Sequence, residues 1–167
     1  MKHWIGAVAL LILAGCTAVP SISGHPQAQD AAIKASGGTF GATYSGNYTL
    51  SSCSSSNSGH FTFSGSGSGS FIHSSSEDGS MTQSAFSCVW SGTATLTSKL
   101  HPRNRITVRL SLNHTTRNSP CNPMHEQVVF IVTGGAGKFA NAAGRGTIVF
   151  SCHDGNYADQ WSGTITF

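Results

Sequence analysis

Charged side chains are scarce in this sequence. Asp, Glu, Lys and Arg make up 9% of its 167 residues, and the formal net charge is +3. A charge this small gives no electrostatic basis for a nucleic-acid partner. Strong helix formers are also few, whereas the 20 Gly and the abundant Ser and Thr favour strands and turns. The 38% of hydrophobic residues is enough for the core of one domain, and the length suits only one.

The sequence also lacks a hydrophobic run long enough to span a bilayer. Near its start, apolar residues extend from Ile5 to Leu13 after the basic Lys2, well short of the roughly 20 residues that a membrane-spanning helix needs. A basic start, a short apolar segment and small residues before the cleavage point are typical of a secretory signal peptide. We therefore predict a signal peptide over residues 1–15.

The residues that follow indicate how the exported chain is anchored. Leu13-Ala14-Gly15-Cys16 resembles the bacterial lipobox, in which the cysteine is acylated and becomes the first mature residue. The resemblance implies a membrane anchor at Cys16, with a flexible tether over 16–38. Thr17 stands where Asp often retains a lipoprotein in the inner membrane. The expected location is therefore the bacterial cell envelope, at the outer membrane in a Gram-negative organism, with the domain facing the periplasm or exterior. The alternative is an ordinary signal peptide that contains a cysteine.

Four further cysteines follow Cys16, namely Cys53, Cys88, Cys121 and Cys152. An even number of cysteines in an exported domain predicts two disulfides. Three connectivities are possible, and the strand pattern favours Cys53–Cys88 with Cys121–Cys152. A zinc site built from Cys121, His125, Cys152 and His153 is the alternative. The spacing of these residues lacks the short chelating pairs of zinc sites, so we predict neither a metal nor another cofactor.

From Thr39 to the end of the chain, apolar or glycine residues alternate with polar ones. This period of two predicts strands. Seven or eight strands joined mostly by short turns favour a barrel or a sandwich, in a single domain over residues 39–167. One apolar run, Val128 to Val132, is continuous, which predicts a strand covered on both faces. The alternating runs start at Phe40, Phe61, Phe86, Ile106, Ile148 and Trp161, and a shorter run covers Gly79–Ser84.

Motifs that would identify an enzyme are not convincing. The glycines of Thr133–Phe139 do not fit the phosphate-loop spacing, because Val132 and Phe139 occupy its first and last positions. Glu77 and Asp78 could form an acid–base pair, but their Ser-rich surroundings favour an exposed acidic turn. His60 and His73 would meet only if their segments pair at a matching level. We predict no catalytic residue.

The C-terminal third of the chain resembles a known group of exported bacterial proteins. Residues 132–147 resemble the TGGTGxFxxAxGxGT signature of proteins with an allene oxide cyclase-like barrel, with Ala136 where Thr is usual. Trp161–Phe167 is similar to the last strand of the same group. The resemblance implies an eight-stranded antiparallel barrel, related in architecture to plant allene oxide cyclases and dirigent proteins. It implies no activity, because the shared residues form a turn: Gly134, Gly135, Gly137, Phe139, Gly144 and Gly146.

These observations lead to three expectations for function. The first is a non-enzymatic, lipid-anchored barrel that binds a small apolar ligand or another envelope component. The second is an isomerase or cyclase related to allene oxide cyclase. The third is a structural envelope protein whose barrel is filled by side chains. The sequence leaves the oligomeric state open.

Overall fold

The computed structural model describes residues 36–51, 58–84, 89–112 and 127–167, which form one closed antiparallel barrel. Each strand pairs with the next along the chain, and the last strand closes the barrel against the first. The predicted eight-stranded antiparallel barrel is confirmed. The strands are β1 (Gly37–Ser51), β2 (Gly59–Gly69), β3 (His73–Gln83), β4 (Trp90–Ser98), β5 (Arg105–Leu112), β6 (Val128–Ala136), β7 (Ala143–His153) and β8 (Asn156–Thr166).

The alternation seen in the sequence becomes the inside and the outside of this barrel, because successive side chains of a strand point to opposite faces. The Gly/Ser segment near residue 65 forms part of β2, which pairs with β3 from Gly59↔Gln83 to Gly69↔His73. The short run at Gly79–Ser84 covers the second half of β3, which ends at Gln83. β1 starts at Gly37, two residues before the predicted start of the domain.

The interior is packed with hydrophobic side chains, and the largest buried ones are mostly aromatic. Glycines at inward positions leave room for those rings. Gly79, for example, pairs with Phe63 on β2. A Cβ atom at Gly79 would lie 2.2 Å from the Phe63 ring. An aromatic ring lying over a strand glycine restores the packing that glycine itself cannot supply.

The two ends of the barrel differ, and we name them by their connections. At the turn end lie the short connections at residues 70–72, 99–104 and 137–142, together with Ser36 and Phe167. At the loop end, β1, β3, β5 and β7 finish. Phe71, Phe139 and Phe167 close the turn end, with centroid separations of 5.4 Å for Phe71–Phe167 and 4.8 Å for Phe139–Phe167.

The glycine-rich signature forms the connection between β6 and β7 at the turn end. A single 3₁₀ turn covers Gly137–Phe139, and Gly137 has φ of 63°, in the left-handed region that favours glycine. A Cβ atom at Gly135 would lie 2.3 Å from the Arg105 carbonyl oxygen, so this glycine permits close approach of β5. Phe139 is completely buried. The described part of this motif therefore shapes a turn and seals the core.

The prediction that Val128–Val132 is covered on both faces is wrong. Val128, Phe130 and Val132 point inward, whereas Val129 and Ile131 are 41% and 40% exposed on the outer surface. A barrel of one sheet has only one buried face, so a strand within it cannot be enclosed on both sides. The continuous apolar run arises because β6 has hydrophobic residues on its solvent face as well.

Several predictions concern residues outside the described ranges. These are the signal peptide, the lipid anchor at Cys16, and three of the four other cysteines: Cys53, Cys88 and Cys121. Cys152 lies half-buried near the end of β7. The anchor and the disulfide connectivity remain predictions. In the described part of the chain, no helix is both long and apolar enough to cross a membrane.

Candidate functional site

Two carboxyl groups lie inside the barrel. Glu77, in the middle of β3, has no solvent exposure, and Asp159, near the start of β8, is 5% exposed. The neighbouring Asp78 points to the outside and is exposed. The expectation that Glu77 and Asp78 form an exposed acidic turn is therefore wrong. Both residues belong to a strand, so the alternation of side chains sends them to opposite faces.

One carboxyl oxygen of Glu77 accepts a hydrogen bond, and the other accepts none. The Tyr157 hydroxyl on β8 donates to Oε2 of Glu77 at 2.9 Å. Oε1 of Glu77 is buried and has no hydrogen-bond partner among the described residues. Gly65 on β2 makes the Tyr157 contact possible, because a Cβ atom there would lie 2.5 Å from the tyrosine oxygen. A buried oxygen without a hydrogen bond lowers the stability of the folded protein, and most buried polar atoms have a partner. Oε1 of Glu77 is therefore an exception among the described residues.

Both carboxyl oxygens of Asp159 accept a hydrogen bond. The backbone N–H of Tyr44 donates to Oδ1 at 3.1 Å, and the indole N–H of Trp161 donates to Oδ2 at 3.1 Å. Since both oxygens accept a hydrogen bond, the charged form of Asp159 is stabilised in a way that the charged form of Glu77 is not.

These surroundings separate the proton affinities of the two carboxyl groups. Burial raises the pKa of Glu77 strongly, and repulsion by the nearby Asp159 carboxylate raises it further. Burial also raises the pKa of Asp159, but by less, because the neighbouring Glu77 carboxyl group and hydrogen bonds from the Trp161 indole N–H and the Tyr44 backbone N–H favour its charged form. At neutral pH these effects favour a proton on Glu77 and a negative charge on Asp159.

A second hydrogen-bond chain lies beside the two acids. The Tyr44 hydroxyl and Ser75 Oγ are 2.8 Å apart, and Ser75 Oγ donates to the His73 carbonyl oxygen at 3.0 Å. Because the Ser75 hydroxyl donates its proton to His73, the Tyr44 hydroxyl must be the donor in its contact with Ser75. Burial raises the pKa of Tyr44 and of Tyr157, so both phenols stay neutral. The interior polar cluster thus comprises Glu77, Asp159, Tyr157, Tyr44, Ser75 and Trp161.

Aromatic rings surround this interior polar cluster. Trp161 packs against Phe130 at a centroid distance of 5.0 Å and against Tyr44 at 6.4 Å. Tyr157 lies 5.7 Å from Phe63 and 6.0 Å from Phe150. Such walls lower the effective dielectric constant around the carboxyl groups and exclude water. The arrangement can hold a neutral acid, share a proton and present a polar atom to an apolar molecule.

The structure does not bring the other candidate residues to this cluster. The signature residues Gly134, Gly135, Gly137, Phe139 and Gly144 lie in or next to the β6–β7 turn, and Gly146 packs on β8. His60 pairs with Thr82 and His73 with Gly69, so the two histidines lie at opposite ends of the β2–β3 hairpin. Among the residues that the structure describes, no three His, Cys, Asp or Glu side chains are grouped for a metal ion.

The sequence carries a signal for this cluster in the alternation of β3 and β8. Tyr157, Asp159, Trp161 and Ile165 share one face of β8, so an acid lay within a row of buried residues. Ser75, Glu77 and Met81 share the inner face of β3 in the same way. The high serine content of β3 concealed its alternation, because the inward positions carry few hydrophobic side chains.

The closed eight-stranded antiparallel barrel resembles the dirigent and allene oxide cyclase-like fold. Among solved structures, the chain is similar to the pterocarpan synthase dirigent protein GePTS1, with a TM-score of 0.54, 10% identity, and coverage of 79% of this chain and 90% of that one. It also matches a protein of unknown function from the DUF3224 family of Shewanella oneidensis MR-1, with a TM-score of 0.39, 14% identity, and coverage of 72% and 94%. At this identity the likeness to the dirigent protein shows the fold alone. No family model and no curated protein matches the sequence.

Proposed function

We propose that this protein binds a small, largely apolar molecule inside the barrel and holds one polar group of that molecule at Glu77. The single observation that carries the proposal is the buried, unpaired Oε1 of Glu77 among aromatic rings. A ligand hydroxyl or amide N–H would supply the missing partner, and the rings would cover its hydrocarbon part. Binding sites of this kind combine mostly apolar walls with a few placed polar groups.

The neutral state of Glu77 fits a ligand of this kind. A charged carboxylate would require a cation or several donors, whereas a protonated carboxyl group can both donate and accept one hydrogen bond. A neutral, weakly polar ligand such as an alcohol or a phenol therefore fits better than an anion. The charged Asp159 would repel an anion as well.

Entry to the interior is proposed at the loop end. Phe71, Phe139 and Phe167 close the turn end, and Tyr157 reaches Glu77 from a position near the loop end of β8. One open hollow beside the described strands lies on the outer surface, along Asn47–Thr49 and Thr62–Ser64. Because Oε1 is buried, ligand binding would require the side chains around it to move apart.

The setting of this proposal is the bacterial cell envelope. The lipobox-like Cys16 would attach the exported chain to a membrane, and two disulfides among Cys53, Cys88, Cys121 and Cys152 would stabilise its loop end. Together these features describe an anchored binding barrel that captures apolar molecules outside the cytoplasm.

A second candidate function is an isomerase or cyclase that acts on such a ligand. The observation that favours it is the pair of interior carboxyl groups with separated proton affinities. A neutral acid beside a charged carboxylate provides a proton donor and a proton acceptor in one site. Glu77 would protonate the substrate, and Asp159 would be the proton acceptor.

Native mass spectrometry of the chain purified gently from its own host tests the binding proposal. We expect a reproducible small-molecule adduct on the parent and on Glu77→Gln, because an amide keeps a neutral hydrogen-bonding group at this position. Glu77→Leu should lose the adduct. Asp78→Asn is the matched control on the outer face and should keep it.

The same variants separate the two functions. If the adduct is a substrate or a product, the Glu77→Gln variant should bind it and fail to convert it, since the amide cannot transfer the proton. An adduct that persists in Glu77→Leu would contradict the role of Glu77. A parent protein with a bare mass would contradict binding and favour a structural barrel filled by its own side chains.

A further inference from the structure

The chain enters the barrel at the turn end. Ser36 pairs with Phe167 through two backbone hydrogen bonds of 2.8 and 2.7 Å, and β1 starts directly after it. Every residue before Ser36, including Cys16, is therefore connected to the barrel at this end. An anchor attached through Cys16 would leave at most the 20 residues from Cys16 to position 35 between the membrane and the turn end.

The turn end is also the basic end of the barrel. Its exposed cations lie in the turns or within three residues of them, and within the described ranges no carboxylate forms a salt bridge with any of them. The exposed carboxylates of the described residues lie elsewhere. Asp154 is at the loop end beside His153, and Asp78 is midway along β3. A terminal carboxylate on Phe167 would offset one positive charge. The cations are Lys99, Arg103, Arg105, Lys138 and Arg145.

This basic surface is held together by contacts between the turns. Asn104 Oδ1 accepts a hydrogen bond of 3.1 Å from the Lys138 backbone N–H, which joins the β4–β5 turn to the β6–β7 turn. The Lys138 ammonium donates to the Phe71 carbonyl oxygen at 2.8 Å, which adds the β2–β3 turn. These hydrogen bonds fix the three turns relative to one another, so the basic side chains lie on one continuous surface.

An exposed apolar side chain stands within the same surface. Leu100, at the tip of the β4–β5 turn, is 72% exposed, and it lies between Lys99 and His101. Leu100 and Pro102 help to line an open hollow of about 480 Å³ beside Arg103. Basic side chains around a protruding leucine are suited to a membrane interface, where headgroups meet the cations and acyl chains meet the apolar group.

We propose that the turn end docks on anionic lipid headgroups and so orients the barrel with its loop end away from the membrane. The occupant is a bilayer surface that carries phosphatidylglycerol-like charge. The proposal rests on the proposed lipid anchor for its place in the cell, because the tether would keep the basic end near the bilayer. A flexible chain of about 20 residues would span about 25 Å, so the proposed tether would maintain a high local concentration of headgroups at the turn end.

Vesicle co-sedimentation tests the surface without the anchor. The protein is the exported chain with Cys16→Ala, and the vesicles are equal mixtures of phosphatidylglycerol and phosphatidylcholine, or phosphatidylcholine alone. We expect partitioning to the anionic vesicles only, decreasing as salt is added. One basic residue near such a surface contributes roughly fivefold to partitioning.

Two variants with the same change in charge locate the binding surface. Arg103→Glu alters the turn end, and Arg109→Glu alters the outer flank of β5; both residues are exposed. We expect roughly 25-fold weaker partitioning for Arg103→Glu, from two units of charge at about fivefold each, and less than about threefold for Arg109→Glu. Circular dichroism verifies that both variants keep the strand content of the parent.

Equal losses in the two variants would overturn the proposal, since they would indicate attraction by net charge. The absence of binding to anionic vesicles would overturn it as well. Binding to a soluble acidic polysaccharide that competes fully with vesicles would assign the surface to another polyanion. Failure of the anchor is a separate result, because the protein with Cys16 intact would then be found free of the membrane in its host.

Discussion

Tyr157 and Glu77, 80 residues apart in sequence, are joined across the barrel by a hydrogen bond of 2.9 Å. The contact links β8 to β3 through the interior, and it satisfies only one of the two carboxyl oxygens. The other, Oε1, has no partner among the described residues. Tyr157 therefore positions a neutral acid whose second oxygen is left available. This relationship is the basis of the proposed binding site.

Replacing Tyr157 by phenylalanine should destabilise the fold. The substitution leaves a second Glu77 oxygen buried without a donor, at a cost of about 1–3 kcal/mol in the free energy of unfolding. Urea denaturation followed by tryptophan fluorescence measures the change. Tyr48→Phe is a suitable control, since Tyr48 is only partly buried, and it should change stability by less than about 0.5 kcal/mol. A loss no larger in Tyr157→Phe than in the control would contradict the role assigned to this hydrogen bond.

Stability should fall as the pH rises. The pKa of Glu77 is raised in the folded protein above its ordinary value of 4.5, so unfolding releases a proton at any pH between the two values. The stabilisation is complete below pH 4.5 and is lost progressively above it, by at most about 1.4 kcal/mol per pH unit for one group. Asp159 adds the same trend over a narrower range, because its pKa is raised by less.

Denaturation midpoints between pH 4.5 and 8 test this trend, and Glu77→Gln should flatten it substantially. Asp78→Asn, which removes an exposed carboxylate from the same strand, should leave the slope unchanged. A parent protein whose stability rises over this pH range would show that Glu77 is ionised in the folded state.

Packing of Phe63 over Gly79 should make that glycine difficult to replace. A Cβ atom there would lie 2.2 Å from the ring, so Gly79→Ala should cost about 1–3 kcal/mol through overpacking. The cost should decrease when Phe63→Leu is added, since the smaller side chain relieves the contact. Gly41→Ala is the control: its added atom would meet its nearest neighbour at 3.8 Å and should have little effect. Calorimetric melting of the three variants provides the comparison, and a harmless Gly79→Ala would refute the packing.

The anchor prediction concerns Cys16. Cys16→Ala, exported behind a signal peptide that is cleaved without lipidation, should be released from the membrane fraction of its host, because the acylated residue would be lost while the rest of the mature chain is retained. Fractionation followed by immunoblotting measures the distribution, with Ser23→Ala as a control for a substitution near the anchor. Unchanged membrane retention of Cys16→Ala would contradict the lipoprotein interpretation.

Four exported cysteines in two disulfides should leave no thiol for alkylation in the non-reduced, denatured chain. After reduction, Cys53, Cys88, Cys121 and Cys152 should all react, and peptide mapping of the non-reduced protein should show the connectivity. The expected pairs are Cys53–Cys88 and Cys121–Cys152. Loops of these lengths would contribute roughly 3–4 kcal/mol each to stability. Alkylation of four thiols without reductant would remove the disulfide prediction.

The barrel was predictable from sequence because its strands alternate so regularly. Phe61 and Phe63 with the glycines that follow them mark one face of β2, and Ile106, Val108 and Leu110 mark one face of β5. The antiparallel pairing follows from the short turns that join the strands. The number of strands needed the resemblance as well, because β3 has few inward hydrophobic residues.

The candidate site was not predictable in the same way. Glu77 lies in a Ser-rich stretch, where local composition indicates a turn, and only its pairing with β2 and β4 places it inside. Asp159 depends on donors from Tyr44 and Trp161, and its distance from Glu77 in the sequence hides their proximity. The local pattern of β6 led to a wrong prediction for the same reason. The sequence does not distinguish the apolar outer residues Val129 and Ile131 from buried ones, because their exposure depends on the arrangement of the strands in the barrel.

The protonation state of Glu77 is the most direct test of the account. Infrared difference spectroscopy at pH 7 detects a protonated carboxyl group by its carbonyl stretch. We predict a band in the parent protein that disappears in Glu77→Gln and remains in Asp159→Asn and Asp78→Asn. A band that is lost only in Asp159→Asn would place the proton on the other acid. A parent protein without the band would show that Glu77 is charged, and the proposed site for a neutral ligand would then be wrong.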